Sequence, residues 1–237
     1  MTKPEDAAPD APATEMQSAE SMATGVEGLF ASAPEPLPFD DKLEIRTFVL
    51  RRPGGNLLVY GTGTLNRDAE AIRALGGISR QYLNHGHEAL FADDWPARAF
   101  GAPLIVGEGD APGVARRREV GHTISERQLL DSDFEAIPIP GHTPGATAFL
   151  WDTGGRRALF TGDSIYLRDG EWVAAVLESS DRVSYLESLN LIKALEFDLL
   201  VPWAASAGGP YYAATDATDA RRRIGGIIER VRAGGNH

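Results

Sequence analysis

Ile139-Pro140-Gly141-His142-Thr143-Pro144-Gly145 is the stretch on which the reading of this chain turns. It lies between two strand patterns, Phe134–Ile139 and Thr147–Trp151. Two prolines and two glycines around one histidine hold the backbone tightly, so the imidazole is presented from a fixed loop at a strand end. Fifty-five residues earlier stands His87, in Asn84-His85-Gly86-His87, directly after a strand pattern at Arg80–Leu83. Gly86 permits a turn that aims both imidazoles at one point. Twenty-one residues after His142 comes Asp163, in Phe160-Thr161-Gly162-Asp163-Ser164, just past another apolar strand. A lone His-x-His pair reads as two surface histidines. With His142 and Asp163 it becomes a four-ligand nitrogen and oxygen set, complete for zinc or a basis for iron.

The rest of the composition leaves metal chemistry to these residues. The 237-residue chain has no cysteine, which excludes disulfides, thiolate-bound zinc, iron–sulfur clusters and thiol nucleophiles. Its five histidines are His85, His87, His122, His142 and His237. The net charge is −11, and residues 1–44 hold ten of the 34 acidic side chains against two lysines. The body is therefore nearly neutral, with no basic face for nucleic acid. Met1 to Asp10 are acidic where an export signal would be basic and then apolar. The 17-residue uncharged stretch Leu199–Thr215 is broken by Pro202, Gly208, Gly209 and Pro210, so no membrane span is expected. The expected compartment is the cytoplasm.

Residues 1–39 read as a disordered, acidic tail rich in alanine and proline, and residues 40–237 as one domain. Val26, Leu29 and Phe30 are the tail's candidate docking group. In the body, Leu43–Leu50 and Asn56–Tyr60 read as a hairpin. Asn66 reads as the cap of a helix to Leu75, and Trp95–Phe100 as a second helix. Asp181 caps a helix to about Glu196, and Thr218–Arg232 reads as the last. Strand patterns recur at Pro103–Val106, Phe134–Ile139, Thr147–Trp151, Arg157–Phe160 and Leu199–Val201. Residues 107–132 carry no clear pattern. The order suggests a mixed α/β body with helices over two packed sheets.

These segments, in this order and at this spacing, resemble the metallo-β-lactamase fold superfamily over roughly Leu43 to Val231. The resemblance implies an αββα sandwich of two mixed sheets, with metals at one sheet edge. It matches His85, His87 and His142 to the histidines of the first metal site. It matches Asp163 to the bridging aspartate, here the candidate catalytic residue as well as a ligand. The chain also departs from the pattern. The family's first motif, His-x-His-x-Asp-His, here reads His85-Gly86-His87-Glu88-Ala89-Leu90. Its late histidine falls in Val201-Pro202-Trp203-Ala204-Ala205, where there is none. Tyr60 stands where the family often has a supporting aspartate before Thr-Gly. The losses concentrate on the second metal site.

The expectation is one divalent metal per chain, zinc ahead of iron, on a degenerate member of the family. The expected activity is hydrolysis of a small ester, thioester or lactam-like substrate. One alternative is a mononuclear iron oxygenase of the persulfide-dioxygenase type, using His85, His142 and Asp163. The other is a catalytically inactive binding protein on the same fold. Glu88 is a candidate replacement base that faces elsewhere. His122 reads as a solvated loop residue and His237 as disordered. Trp203, Tyr211 and Tyr212 read as packing, either in the core or at a homodimer interface, or as an apolar wall where the second metal sat.

Overall fold

The computed structural model describes residues 18–20 and 22–237. The first seventeen residues of the expected tail, and Ser21, lie outside the described residues.

Apolar runs bounded by turn residues build the second of the two large sheets. Phe134–Pro138, Thr147–Asp152 and Arg157–Gly162 form successive antiparallel pairs. Leu199–Pro202 joins in parallel beside Arg157–Gly162, and Ala213–Ala214 and Gln128–Asp131 form the edges. Successive side chains alternate between two cores. Phe134, Phe149, Phe160 and Val201 face one core, while Ile137, Leu150, Leu159 and Leu200 face the other. Both faces are buried, which is why these strands read as continuous apolar runs rather than alternating ones.

The other large sheet has the order Leu29–Ala31, Phe48–Leu50, Leu57–Val59, Arg80–Tyr82, Leu104–Gly107, His122–Ile124. Its first two pairings are antiparallel and the rest parallel. Phe48, Val59, Tyr60 and Tyr82 fill the space between the two sheets with Phe134, Phe149 and Phe160. On the far side of this sheet, Ile72 and Ala71 of the helix Ala69–Ala74 cover Val49 and Leu58. On the far side of the other, Tyr185, Leu189 and Ile192 of Arg182–Ala194 pack with Ile224, Ile227 and Ile228 of Ala217–Arg232. The result is the expected αββα sandwich. A five-stranded ladder links the two sheets, because Asp40–Ile45 runs on past Arg46-Thr47 into Phe48–Leu50 and Leu199–Pro202 runs on past Trp203 into Ala204–Ser206.

Several expectations need correction. The fold does not begin at residue 40. Leu29–Ala31 pairs with Phe48–Leu50, and Glu35–Leu37 pairs with Asp40–Ile45. Met22, Leu29, Ala31 and Leu37 are each no more than 5% exposed. These four apolar side chains are diluted by the acids and prolines around them, so segment composition hides them. Leu43–Leu50 is two strands in two ladders, bent where the Arg46 amide donates to Trp203 O and the Thr47 amide to Ser32 Oγ. Asn66 caps nothing. A 3₁₀ turn, Leu65–Asp68, precedes the short helix. Residues 107–132 hold a short helix, Ala111–Val114, and the strands His122–Ile124 and Gln128–Asp131. Asp181 does cap its helix, its carboxylate accepting from the Val183 and Ser184 amides.

Candidate metal centre

The sheets deliver three loops to one edge. The strand Arg80–Tyr82 leads into an extended His85 and a 3₁₀ turn, Gly86–Leu90, which places His85 and His87. The loop between Phe134–Pro138 and Thr147–Asp152 carries His142. Asp163 follows the strand Arg157–Gly162 directly. One ring nitrogen from each of His85, His87 and His142 lies within 4.8 Å of the others, a grouping that could hold a metal ion. Asp163 Oδ2 stands 3.5 Å from His85 Nε2 and 3.9 Å from His142 Nε2. All four side chains read from the sequence are therefore neighbours in space.

Asp110, which the sequence reading did not single out, ties two of these loops together. Its Oδ2 accepts from the Gly86 amide at 2.7 Å and from Thr143 Oγ1 at 2.6 Å, and its Oδ1 from the Gly145 amide at 3.0 Å. One buried carboxylate thus joins the turn of His85 and His87 to the loop of His142. Gly145 is required by this approach, since a Cβ there would overlap the Asp110 backbone and side chain. Asn84 makes a second tie, its carbonyl accepting from the Thr147 amide and its Nδ2 donating to Thr147 O.

Tyr60 does more than replace a supporting acid. Its hydroxyl donates to Val201 O at 2.6 Å and accepts from the Gly162 amide at 2.9 Å, so it anchors the residue before Asp163. It does so from a φ of +75°, a left-handed conformation that costs a bulky residue about 1–3 kcal/mol. Gly162, at φ +56°, sits so close to Asn84 that a Cβ would overlap the Asn84 side chain. Glu88, read as a candidate base that faces elsewhere, is fully buried. Its Oε1 accepts from the Asn84 and His85 amides and lies 3.1 Å from His85 Nδ1. A carboxyl group thus lies beneath His85, supplied from the same turn.

Burial sets the charge state of the cluster. It lowers the pKa of His85 and of His87, and holds that of His142 well below the ordinary 6.5, with the neighbouring imidazoles adding to the shift at His87 and His142. Burial also pushes Asp163 up to about 6, opposed by His85 and aided by Glu88. Glu88 is raised well above the usual carboxylate range, again by burial first. The imidazoles are therefore neutral, with lone pairs free. His142 Nδ1 donates to Ala175 O at 2.7 Å, which leaves its Nε2 as the lone-pair atom, 3.2 Å from His87 Nδ1. Two nitrogens each about 2.1 Å from a tetrahedral ion stand roughly 3.4 Å apart, so this spacing suits zinc. Neither ring nitrogen of His85 has an aligned hydrogen-bond partner, nor has Asp163 Oδ1. Buried polar atoms left so are costly. A bound cation would satisfy the atoms that face the centre.

Around the cluster the expected second-site positions are apolar. Ala89 and Ala204 are buried, and Leu90 is 55% exposed at the cavity mouth. Trp203 is the apolar wall beside the cluster, its ring 5.3 Å from that of His85 and its Nε1 donating to Gly61 O. Tyr211 packs on Phe48 and Arg46, and Tyr212 donates to Thr24 O, so both belong to the scaffold. His122 is exposed in an edge strand away from the site. His237 is placed rather than disordered. The Arg230 guanidinium donates to its carbonyl, and it lines the same cavity of about 430 Å³ as His87, His142 and Asp163.

Residues 70–204, more than half the chain, match the family model of the metallo-beta-lactamase superfamily. No curated protein matches the chain by sequence. Among solved structures, the subclass B3 metallo-beta-lactamase BJP-1 of Bradyrhizobium japonicum is similar, with 17% identity and a TM-score of 0.59 over 84% of this chain and 93% of that one. The MIM-2 metallo-beta-lactamase has 18% identity and a TM-score of 0.63 over 80% and 83%. The class B3 di-zinc metallo-beta-lactamase LRA-12 from an Alaskan soil metagenome has 18% identity and a TM-score of 0.57 over 81% and 89%. At this identity the likeness is one of fold. The family match covers the segments that bring His85, His87, His142 and Asp163 to one sheet edge, and the chain belongs to the metallo-beta-lactamase superfamily.

Proposed function

We propose that the protein is a metal-dependent hydrolase that holds one divalent ion through His85, His87, His142 and Asp163 and cleaves a small ester, thioester or lactam-like substrate. The observation that carries this is the convergence of three neutral imidazoles and an unsatisfied carboxylate at the floor of a largely apolar cavity. Zinc suits the donor set and the tetrahedral spacing best. When bound, it supplies Lewis acidity that polarises a carbonyl and acidifies water. The chain's own residues do the rest. Ala175 O fixes the tautomer of His142, and Glu88 sits behind His85. Trp203 and Phe91 wall the floor against water, and Asp163 is placed to hold a reacting proton at Oδ2. Ala89, Leu90 and Ala204 supply no second set of ligands, so the site is mononuclear.

Elemental analysis of protein purified without metal-affinity steps tests this. About one zinc per chain is expected, falling sharply in His142→Ala. Two tightly held metals would overturn the mononuclear reading. Iron in place of zinc would favour an oxygenase built on His85, His142 and Asp163, although His87 stands within the same cluster. No retained metal would favour a binding protein without catalysis.

A further inference from the structure

Two cavities of different character meet at the histidine cluster. The first, of about 430 Å³, is walled by Leu43, Phe91, Tyr166, Val176 and Trp203. Phe39, Leu90 and Leu177 stand at its rim with exposures of 78%, 55% and 43%. Half of the exposed large apolar side chains among the described residues are thus gathered at one mouth. Its cation, Arg168, is engaged with Asp40 at 3.3 Å.

The second cavity, of about 550 Å³, lies on the other flank and shares His87, Leu90 and His142 with the first. Its charged lining is Arg116, Arg117 and Asp110. The Asp110 carboxylate is spent on Gly86, Thr143 and Gly145. The Arg117 guanidinium has no partner among the described residues, and that of Arg116 reaches only Pro112 O at 3.3 Å. A chain of net charge −11 therefore places two uncommitted guanidinium groups beside its histidine cluster, with no free carboxylate in the cavity to balance them.

We infer that the ligand of this site is an amphipathic anion, with its apolar group in the first cavity and its phosphate, sulfonate or carboxylate group against Arg116 and Arg117, so that it lies across the His87–His142 edge. This rests on the hydrolase reading for the chemistry done at that edge, but not for the binding. Apolar burial supplies affinity in the first cavity. Charge-assisted hydrogen bonds from the guanidinium groups supply selection for the anion in the second.

The test is calorimetric titration of the metal-free protein with hexyl phosphate, hexanol and inorganic phosphate. Hexyl phosphate is expected to bind at least about tenfold more tightly than either half, the worth of one hydrogen bond to a charged group. In Arg116→Ala/Arg117→Ala the preference for hexyl phosphate over hexanol should fall to near unity. In Leu177→Asp the preference over inorganic phosphate should fall instead. Arg221→Ala, on a distant exposed helix face, serves as the control and should keep both preferences. Hexyl phosphate binding no better than hexanol, or a preference that survives loss of both arginines, would overturn the inference. Hydrolysis is read separately on the metal-loaded protein, with para-carboxyphenyl and para-carbamoylphenyl hexanoate. Binding as expected with neither ester cleaved would refute the hydrolase reading and leave the amphipathic site standing. Turnover of both esters with KM values equally affected by the arginine changes would refute the anion site and leave the hydrolase reading standing.

Discussion

Replacing Asp110 by asparagine tests whether one carboxylate holds the two histidine loops in register. The carboxylate accepts three hydrogen bonds, two at Oδ2 from Gly86 and Thr143 and one at Oδ1 from Gly145. Asparagine keeps the shape but offers one acceptor oxygen. Whichever way the amide turns, its NH2 group faces a donor, and at least one buried amide or hydroxyl loses its partner. A hydrogen bond to a charged group is worth about 1.5–3 kcal/mol, and leaving the donor unsatisfied costs a similar amount. The expected loss is about 3 kcal/mol, or roughly 6–12 °C in Tm for a chain of this size. Because His142 and the His85–His87 turn then drift apart, zinc affinity should fall by about 10–100-fold, the usual effect of losing a partner that orients ligands. Differential scanning calorimetry reads the first effect, and competition with a chromophoric chelator reads the second. Thr143→Ala made in the Asp110→Asn background should cost less than the same change in the parent, because the two groups share one bond. A variant with an unchanged Tm, unchanged zinc affinity and additive double-mutant energies would refute the tie.

Glu88→Gln keeps an oxygen for the Asn84 and His85 amides but replaces the acid group 3.1 Å from His85 Nδ1, so zinc affinity should drop about tenfold while the metal-free Tm stays within a few degrees; equal losses in both would show a purely structural role. With the imidazole pKa values depressed and Asp163 pushed up to about 6, the donor set is fully deprotonated at about pH 8, and Asp163 takes up a proton as pH falls through that value. The part of the proton release that comes from Asp163, read as the difference between the parent and Asp163→Asn by titration in buffers of different ionisation enthalpy, should be almost nil at about pH 8 and grow toward pH 6; a difference independent of pH would remove Asp163 from the ligand set. Deleting residues 1–38 takes away Met22, Leu29, Ala31 and Leu37 with two strands, at about 1.5–3 kcal/mol for each large side chain, so the truncated chain should be unfolded or nearly so by circular dichroism.

The cluster of His85, His87, His142 and Asp163 was legible in the sequence because its residues are chemically rare and framed by residues with strong backbone preferences. His142 is fixed by the prolines and glycines on either side, and no cysteine competes for the metal role. The strands of the second large sheet were legible for a similar reason, since burial on both faces leaves unbroken apolar runs. What escaped is what depends on distant pairing. Glu108-Gly109-Asp110 looks like any acidic turn, yet Asp110 works through residues 24 to 35 positions away. Tyr60 looked like a lost support, and its function lies in a hydroxyl bond to an amide 102 residues on. The N-terminal strands were masked because burial belongs to individual side chains such as Met22 and Leu29, whereas composition averages them with their charged neighbours.

The pattern of support also bears on whether the scaffold is merely a relic. His85 and Glu88 are almost wholly buried, His142 nearly so, and Asp163 is pushed toward its neutral form by burial. Unsatisfied polar atoms remain on His85, Glu88 and Asp163. In a protein that used this edge only for packing, apolar residues of similar volume would stabilise the fold by comparison, because a buried polar group without a partner costs about 1–3 kcal/mol. Instead Asp110, Asn84 and Tyr60 are arranged to hold these costly groups still, and Tyr60 does so from a strained backbone. A divalent cation bound at the cluster would offset that cost by favouring the ionised form of Asp163 and by accepting the imidazole lone pairs. Ala89, Leu90 and Ala204 themselves carry no metal-ligating side chain. The buried ties of Asp110 and Glu88 and the strained backbone of Tyr60 are thus gathered around His85, His87, His142 and Asp163.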